Sequence, residues 1–473
     1  MPWTRSARNL ALITLTLLIA TPRLIPAPAE RRLSVYSSAA NYSLPIVQRE
    51  GKDYVGLLEL LDPLGPVSTK AEGTRWRLRY NNKIQAEFTA GSDRVRIQGR
   101  DSYLGAHFLM ENERGLVPET SLNTLLPLLL GGPATLHPLS DRILIGDVGT
   151  HFTATVPPSE HPSLILQFSG PVSPSVATEA GGLRLTFPRD PVVAPASPTL
   201  TFGNKTIPSA TYSESNAGAE IFVRSAGPLV AGVSRDNRTL TVTPAGGLAP
   251  RTSVAPATTP LADTSATPAP PNAPQISRRY FVVLDASHGG DDRGEAISSS
   301  LLEKDLTLAF ARRLREQLEK LGITVLALRE SDINLSLDQR AALANANHAA
   351  LYVALHTSSS GRGVRLFTAL LPYGTENRGP FRAWDNAQSA YRSYSLIAAA
   401  GISSELQQRQ IPARSLMAPQ RPLGNITEAA LALEITPQGS AAAQLASPDY
   451  QQAIAAAVAA GIASVRDKLG TVP

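Results

Sequence analysis

Four residues have types and positions that could do chemistry together. His288 follows the apolar run VVLDAS, His356 closes LYVALH, and Glu434 lies near the end of LALEI, while Glu303 opens the stretch EKDLTLAFARRLREQLEK. Taken singly, three of them have ordinary structural accounts. Ser300-x-x-Glu303 reads as a capping box, in which the acid satisfies a backbone N–H. His288 before Gly289-Gly290 reads as the entry to a turn, and His356 before Thr357-Ser358 as a hydrogen-bonded strand end. Glu434 is harder to explain this way, because a carboxylate inside an apolar strand is costly without a partner. As a set they suggest something else. Two imidazoles and one acid can hold zinc with a position open for water, and a further acid can serve as base. The chain has no cysteine, which excludes disulfides and thiolate metal sites and leaves His, Asp and Glu as donors.

The surrounding pattern supplies the scaffold. Residues 280–287 form a continuous apolar run, the mark of a strand buried on both faces. Leu306, Phe310, Leu314 and Leu318 then recur on one helical face, and Gly322 ends that helix. Strand 323–328, a helix capped by Ser336, strands 350–355 and 363–371, a helix near 389–410, strand 430–435 and an alanine-rich last helix follow. Such alternation implies an α/β domain with a mostly parallel sheet and helices on both faces. Ligand sites in such sheets form outside the carboxyl ends of the strands. His288, His356 and Glu434 fall there, and the helix opened by Glu303 starts at the same edge. His348, in ANANHAA, falls on a helix and reads as solvated.

These stretches, VVLDASHGGDDRGE, LLEKDLTLA, LYVALH and RPLGNITEAALALEI, resemble the zinc-dependent N-acetylmuramoyl-L-alanine amidases of the Amidase_3 family over roughly 279–469. The fifteen-residue step from His288 to Glu303 (303 − 288) matches that family and is far longer than the His-to-Glu step of zinc carboxypeptidases. The resemblance implies that His288, Glu303 and His356 are ligands of Zn²⁺ and that Glu434 is the catalytic carboxylate. It further implies hydrolysis of the amide between N-acetylmuramic acid and L-alanine in peptidoglycan, with an activator protein as a candidate partner. Two departures flank the ligands. Ser287 replaces the family's Gly, and Thr357-Ser358 replaces its Ala-Asn. They keep a second reading open, that of an inactive peptidoglycan-binding scaffold. Only Tyr373–Gln388 is placed to act as a lid.

Upstream, 473 residues exceed one ordinary core, and 38 prolines point to linkers or proline-punctuated β structure. The N-terminus reads as a secretory signal over 1–29: Arg5 and Arg8, apolar Leu10–Ala20, then Ala27-Pro28-Ala29. Its apolar run gives only ~16 Å of helix against a ~30 Å hydrocarbon core. An exported, periplasmic or otherwise extracytoplasmic protein with no membrane span in the mature chain is expected. A net charge of +5 favours anionic surroundings, but no Arg/Lys run interleaves with aromatics, so nucleic acid is not expected as a partner. Residues 30–147 predict short strands with turns at Asn81-Asn82 and Gly91-Ser92, and a helical segment over 119–130. This small α+β module resembles the copper-amine-oxidase-type N-terminal domain. Residues 148–248 predict short strands only, and resemble the β-sandwich wall-targeting (AMIN) domain. His107, His137, His151 and His161 in these regions read as surface or strand-end residues. Residues 249–277, rich in Pro, Ala and Thr, bury too little to offset ordering entropy and predict an extended tether. The catalytic domain is expected over 278–473.

Overall fold

The computed structural model describes residues 31–245, 280–298, 301–372, 384–439 and 441–470. The expected export segment 1–29, the tether 249–277, Ser300 of the expected capping box and most of Tyr373–Gln388 lie outside the described residues.

The first region is built of short strands. Asn81 and Asn82 both take positive φ (49° and 57°), which turns Arg75–Tyr80 back onto Ile84–Thr89 within a five-stranded antiparallel sheet. The segment expected to be helical forms a 3-10 turn, Glu119–Ser121, and a helix, Leu122–Leu130. Trp76, Phe88 and Phe108 meet in the core with ring centroids 4.8–5.6 Å apart. Gly115 is required beside them: a Cβ there would sit 2.9 Å from both Trp76 and Phe108. The chain ends of this region come together where Arg32–Ser37 pairs in parallel with Arg142–Ile145.

The second region has two antiparallel sheets over one core. Phe152–Thr155, Leu164–Phe168, Thr239–Pro244 and Leu229–Val233 form one. The other runs Thr199–Thr201, Ser209–Ser215, Gly218–Arg224, Gly182–Phe187 and Ser175–Glu179, the last strand named β1. Leu164, Leu166, Leu240 and Val242 of the first face Leu183, Leu185, Ile221 and Val223 of the second. A buried network joins the two regions. Arg142, 1% exposed, donates to Glu214 at 2.9 Å and to the Val192 carbonyl at 3.2 Å. Tyr212 donates to the same carboxylate at 2.6 Å and Ser140 at 3.1 Å, while His137 Nδ1 lies 3.0 Å from it. His137 does end a strand, and its ring belongs to this joint.

The third region is α/β. Its elements are β2 (Val282–Ala286), α1 (Glu303–Lys320), β3 (Val325–Ala327), α2 (Leu337–Ala346), β4 (Leu351–Thr357), β5 (Val364–Ala369), α3 (Arg392–Gln408), β6 (Ala413–Ala418), β7 (Ala429–Ile435) and α4 (Pro448–Ser464). The central strands are apolar on both faces because both are covered. Val282, Leu284, Leu351, Val353, Leu431 and Leu433 pack with α1, α3 and α4, while Val283, Tyr352, Ala354, Ala430 and Ala432 pack with Ala341 and Ala344 of α2. The strand order is β6-β5-β7-β4-β2-β3, parallel except where β5 runs antiparallel to β7. Ser336 caps α2 with a complete capping box to Gln339. His348 lies beyond the end of α2 rather than on a helix, at φ 45°.

Strand β6 was not expected from the sequence, and it connects the regions. Met417 of β6 pairs with Val176 of β1, so the sheets merge into one of eleven strands. Arg414 pairs with Glu179 at 2.9 Å, Val233 bridges Pro372, and Leu370 and Met417 pack into the second region's core. Among the described residues no helix is long and apolar enough to cross a membrane.

Candidate metal centre

The site begins where β2 ends. His288 takes φ 63°, followed by Gly289 at 135° and Gly290 at 59°, so the chain leaves the sheet in a tight left-handed turn. A Cβ on Gly289 would meet the Ile333 carbonyl oxygen at 2.2 Å, so only glycine fits. Two buried arginines hold this turn by its carbonyls. Arg329 donates to those of Ala286 (2.7 Å), Ser287 (3.1 Å) and Lys304 (2.6 Å), tying the turn to the start of α1. Arg340 donates to those of Ala286 (2.9 Å) and His288 (2.8 Å) and pairs with buried Asp285, which also accepts from the Tyr352 hydroxyl at 2.5 Å.

Glu303 is the first residue of α1 and is 4% exposed. The N-cap is Leu302, which has no side-chain cap, so Glu303 faces the strand mouths instead of serving a capping box. Its carboxylate accepts from the backbone N–H of Glu295 (2.8 Å) and of Thr357 (3.3 Å). One oxygen lies 3.2 Å from His288 Nε2 and the other 3.1 Å from His356 Nδ1. Burial pushes its pKa up, but the two imidazoles outweigh this and hold it far below the usual carboxylate range, so the group is charged. Burial likewise works to lower the pKa of His288, and Glu303 and Asp292 together raise it.

The outer ring nitrogens are occupied as well. His288 Nδ1 is 2.9 Å from Asp292, and His356 Nε2 is 3.0 Å from the Ser287 hydroxyl. Partners of this kind fix ring orientation in metal sites. The inner donors of His288, Glu303 and His356 all lie within 4.8 Å of one another, the one such group of three among the described residues. Tetrahedral zinc with bonds of ~2.0–2.2 Å separates its ligand atoms by about 3.3–3.6 Å, a separation within the 4.8 Å span of the three donors. Gly294 packs against the cluster so tightly that a Cβ would come within 2.7 Å of Glu303 Oε2 and His288 Cδ2. Two nitrogens, one ionised buried oxygen and a glycine-walled cradle fit a divalent ion.

Glu434 is the next-to-last residue of β7, opposite His356 of β4 in the parallel ladder. It stands outside the three-donor group. In the antiparallel ladder Glu434 is opposite Arg365 of β5, with Nε 2.8 Å from Oε2. A cleft lined by Ser287, His288, Asn334, Ser336, His356 and Arg421 opens beside the donors. Sequence reasoning missed Arg365, although it interrupts the apolar run GVRLF as Glu434 interrupts LALEI. It also missed Asp292, Arg329 and Arg340, which carry no signal apart from the fold. His107, His151 and His161 are exposed, and His348 is 3.6 Å from Glu428.

Residues 282–464 match the family model described as N-acetylmuramoyl-L-alanine amidase. The C-terminal domain is of this amidase family. The N-acetylmuramoyl-L-alanine amidase AmiC of Neisseria meningitidis serogroup B is 36% identical over 101 residues, 20% of this chain and 24% of that protein. The germination-specific N-acetylmuramoyl-L-alanine amidase of Bacillus subtilis is 34% identical over 125 residues, 24% of this chain and 44% of that protein. The chain thus spans less than half the length of these curated relatives. Among solved structures, the catalytic domain of CwlV from Bacillus (Paenibacillus) polymyxa is 24% identical, with a TM-score of 0.32, covering 40% of this chain and 98% of that one. In this amidase domain Ser287 has a local role, its hydroxyl lying 3.0 Å from His356 Nε2, whereas Thr357 reaches Glu303 only through its backbone N–H, which any residue would supply there.

Proposed function

We propose that the chain is a zinc-dependent peptidoglycan amidase that cleaves the bond between N-acetylmuramic acid and L-alanine. His288, Glu303 and His356 hold the metal, and Glu434 is the general base. One observation carries the reading: His288, just past β2, and His356 of β4 converge on the ionised, buried carboxylate of Glu303 that opens α1. A bound Zn²⁺ would supply Lewis acidity, polarising the amide carbonyl and making water acidic enough to lose a proton near neutral pH. The chain's residues do the rest. Asp292 and Ser287 orient the two imidazoles, and the cleft past Asn334 and Arg421 seats the substrate. Glu434 takes a proton from water and returns it to the leaving L-alanine nitrogen, a role worth ~10²–10⁴-fold in rate.

The upstream regions are proposed as a copper-amine-oxidase-N-like module over 30–147 and an AMIN-like wall-targeting module over 148–248. They act outside the cytoplasm after export directed by 1–29, with 249–277 as linker and 278–473 as the catalytic domain. The inactive-scaffold reading is not favoured, because the three donors are present together and the Ser287 hydroxyl supports one of them.

The test is digestion of purified sacculi by the full chain alone, with mass spectrometry of the released peptides. Peptides beginning at L-alanine, lost on chelation and restored by zinc, are expected. Release without any added protein would remove an activator from the proposal. Glu434→Gln should bind one zinc per chain yet lose at least ~10²-fold in kcat. Wild-type release by that variant would refute the assignment of the base.

A further inference from the structure

Glu434 poses a problem for a site of this kind. In-register residues on adjacent parallel strands point to the same face and stand ~4.8 Å apart, and Glu434 is in register with the ligand candidate His356. A second carboxylate so close to a dication has both the charge and the reach to become a fourth ligand. Two His and two carboxylates would close the tetrahedron, and a closed zinc site is structural rather than catalytic. Something must hold Glu434 away.

Arg365 is the group on the opposite side. It faces Glu434 across the β5–β7 ladder, and its Nε is buried 2.8 Å from Oε2. That contact is an ion pair rather than an aligned hydrogen bond, since the N–H does not point along it. The guanidinium is anchored independently. Its Nη2 donates to the Ser360 carbonyl at 2.9 Å, and it lies against Gly361, where a Cβ would come 3.4 Å from Cζ. Gly361 itself takes φ 127°, a backbone conformation that favours glycine. Opposite charge and an anchored guanidinium give Glu434 a partner on β5, across β7 from the strand that carries His356.

We infer that Arg365 is a positioning residue that holds the carboxylate of Glu434 off the metal and so keeps the fourth coordination position open for water. The inference rests on the proposed zinc ligands and base. It differs from that reading in assigning the open position to a residue that touches neither metal nor substrate.

The experiment measures zinc affinity of the purified full-length chain by competition with a chelating dye, alongside kcat and KM on sacculi. Arg365→Leu is expected to bind zinc more tightly, on the order of tenfold, as an added charged ligand tightens a cation site, and to lose kcat with little change in KM, because the freed carboxylate occupies the water position. Arg365→Lys should restore much of both. Arg365→Leu combined with Glu434→Gln should return zinc affinity to that of Glu434→Gln alone, a non-additive cycle that only coupling of the two side chains produces. Circular dichroism identifies misfolding, and Arg365→Gln replaces the leucine variant if that one fails to fold. Unchanged or weakened zinc binding in a folded Arg365 variant that has lost kcat would overturn the inference. Full activity of Glu434→Gln would instead sink the reading of the base beneath it.

Discussion

At the scale of the residue, the site depends on having both nitrogens of each imidazole occupied. His356 turns Nδ1 to Glu303 and Nε2 to the Ser287 hydroxyl, so Ser287→Ala leaves a half-buried ring free to rotate. Outer partners of metal ligands typically contribute 10–100-fold in metal affinity. Ser287→Ala should therefore weaken zinc binding by about tenfold while leaving the thermal melt of the metal-free chain nearly unchanged. A dye-competition titration would show this, and an unaltered zinc affinity would remove Ser287 from the support of the site. The four residues nominated from sequence were legible because each was a polar group at a place where apolar periodicity stopped. Arg365 gave the same signal and was passed over. Asp292 and Ser287 were not legible in that way, since a loop aspartate and a serine become informative only when the turn through Gly289 and Gly290 brings them to a ring nitrogen.

At the scale of the element, β2, β4 and β7 were readable as strands because both faces are covered and the sequence is apolar up to a polar residue near each strand's end. The helix that starts at Glu303 was readable from periodicity and the one at Ser336 from its cap. Strand β6 was not. Its residues ARSLMA lie between Pro412 and Pro419, show no clean alternation, and pair on one side with a strand from a distant part of the chain. The joint formed by Arg142, His137 and Tyr212 around Glu214 was equally invisible, because its members are far apart in sequence. Its energetics are testable through pH. Burial works to raise the pKa of Glu214, but His137, Tyr212 and Arg142 bring it down from 4.5 to about 2. A depressed carboxylate contributes stability that is complete above its unfolded value and is lost as pH falls through the folded one. The window is therefore from about pH 4.5 down to about 2, and the contribution is on the order of 3 kcal/mol. Glu214→Gln should be less stable than the parent at pH 7, with the difference in melting temperature closing across that window. A difference that persists unchanged at pH 2 would show that the charge of Glu214 is not what stabilises the joint.

At the scale of the whole molecule, the second and third regions share one sheet through Val176 and Met417, reinforced by Arg414–Glu179. A protease site introduced into 249–277 and cut should therefore leave the two halves eluting together in gel filtration. Met417→Asp places a charge in the second region's core and should release them. Separation of the cut parent chain would show that the covalent connection, rather than the sheet, keeps them together.

That merged sheet also bears on solubility at high concentration. Its two outermost strands, Thr199–Thr201 and β3, are three residues each, too short a row of unpaired amides to recruit the edge of another molecule. A shortened chain lacking the first two regions would instead present the six residues of β6 as a bare rim. It should self-associate where the full chain stays dispersed.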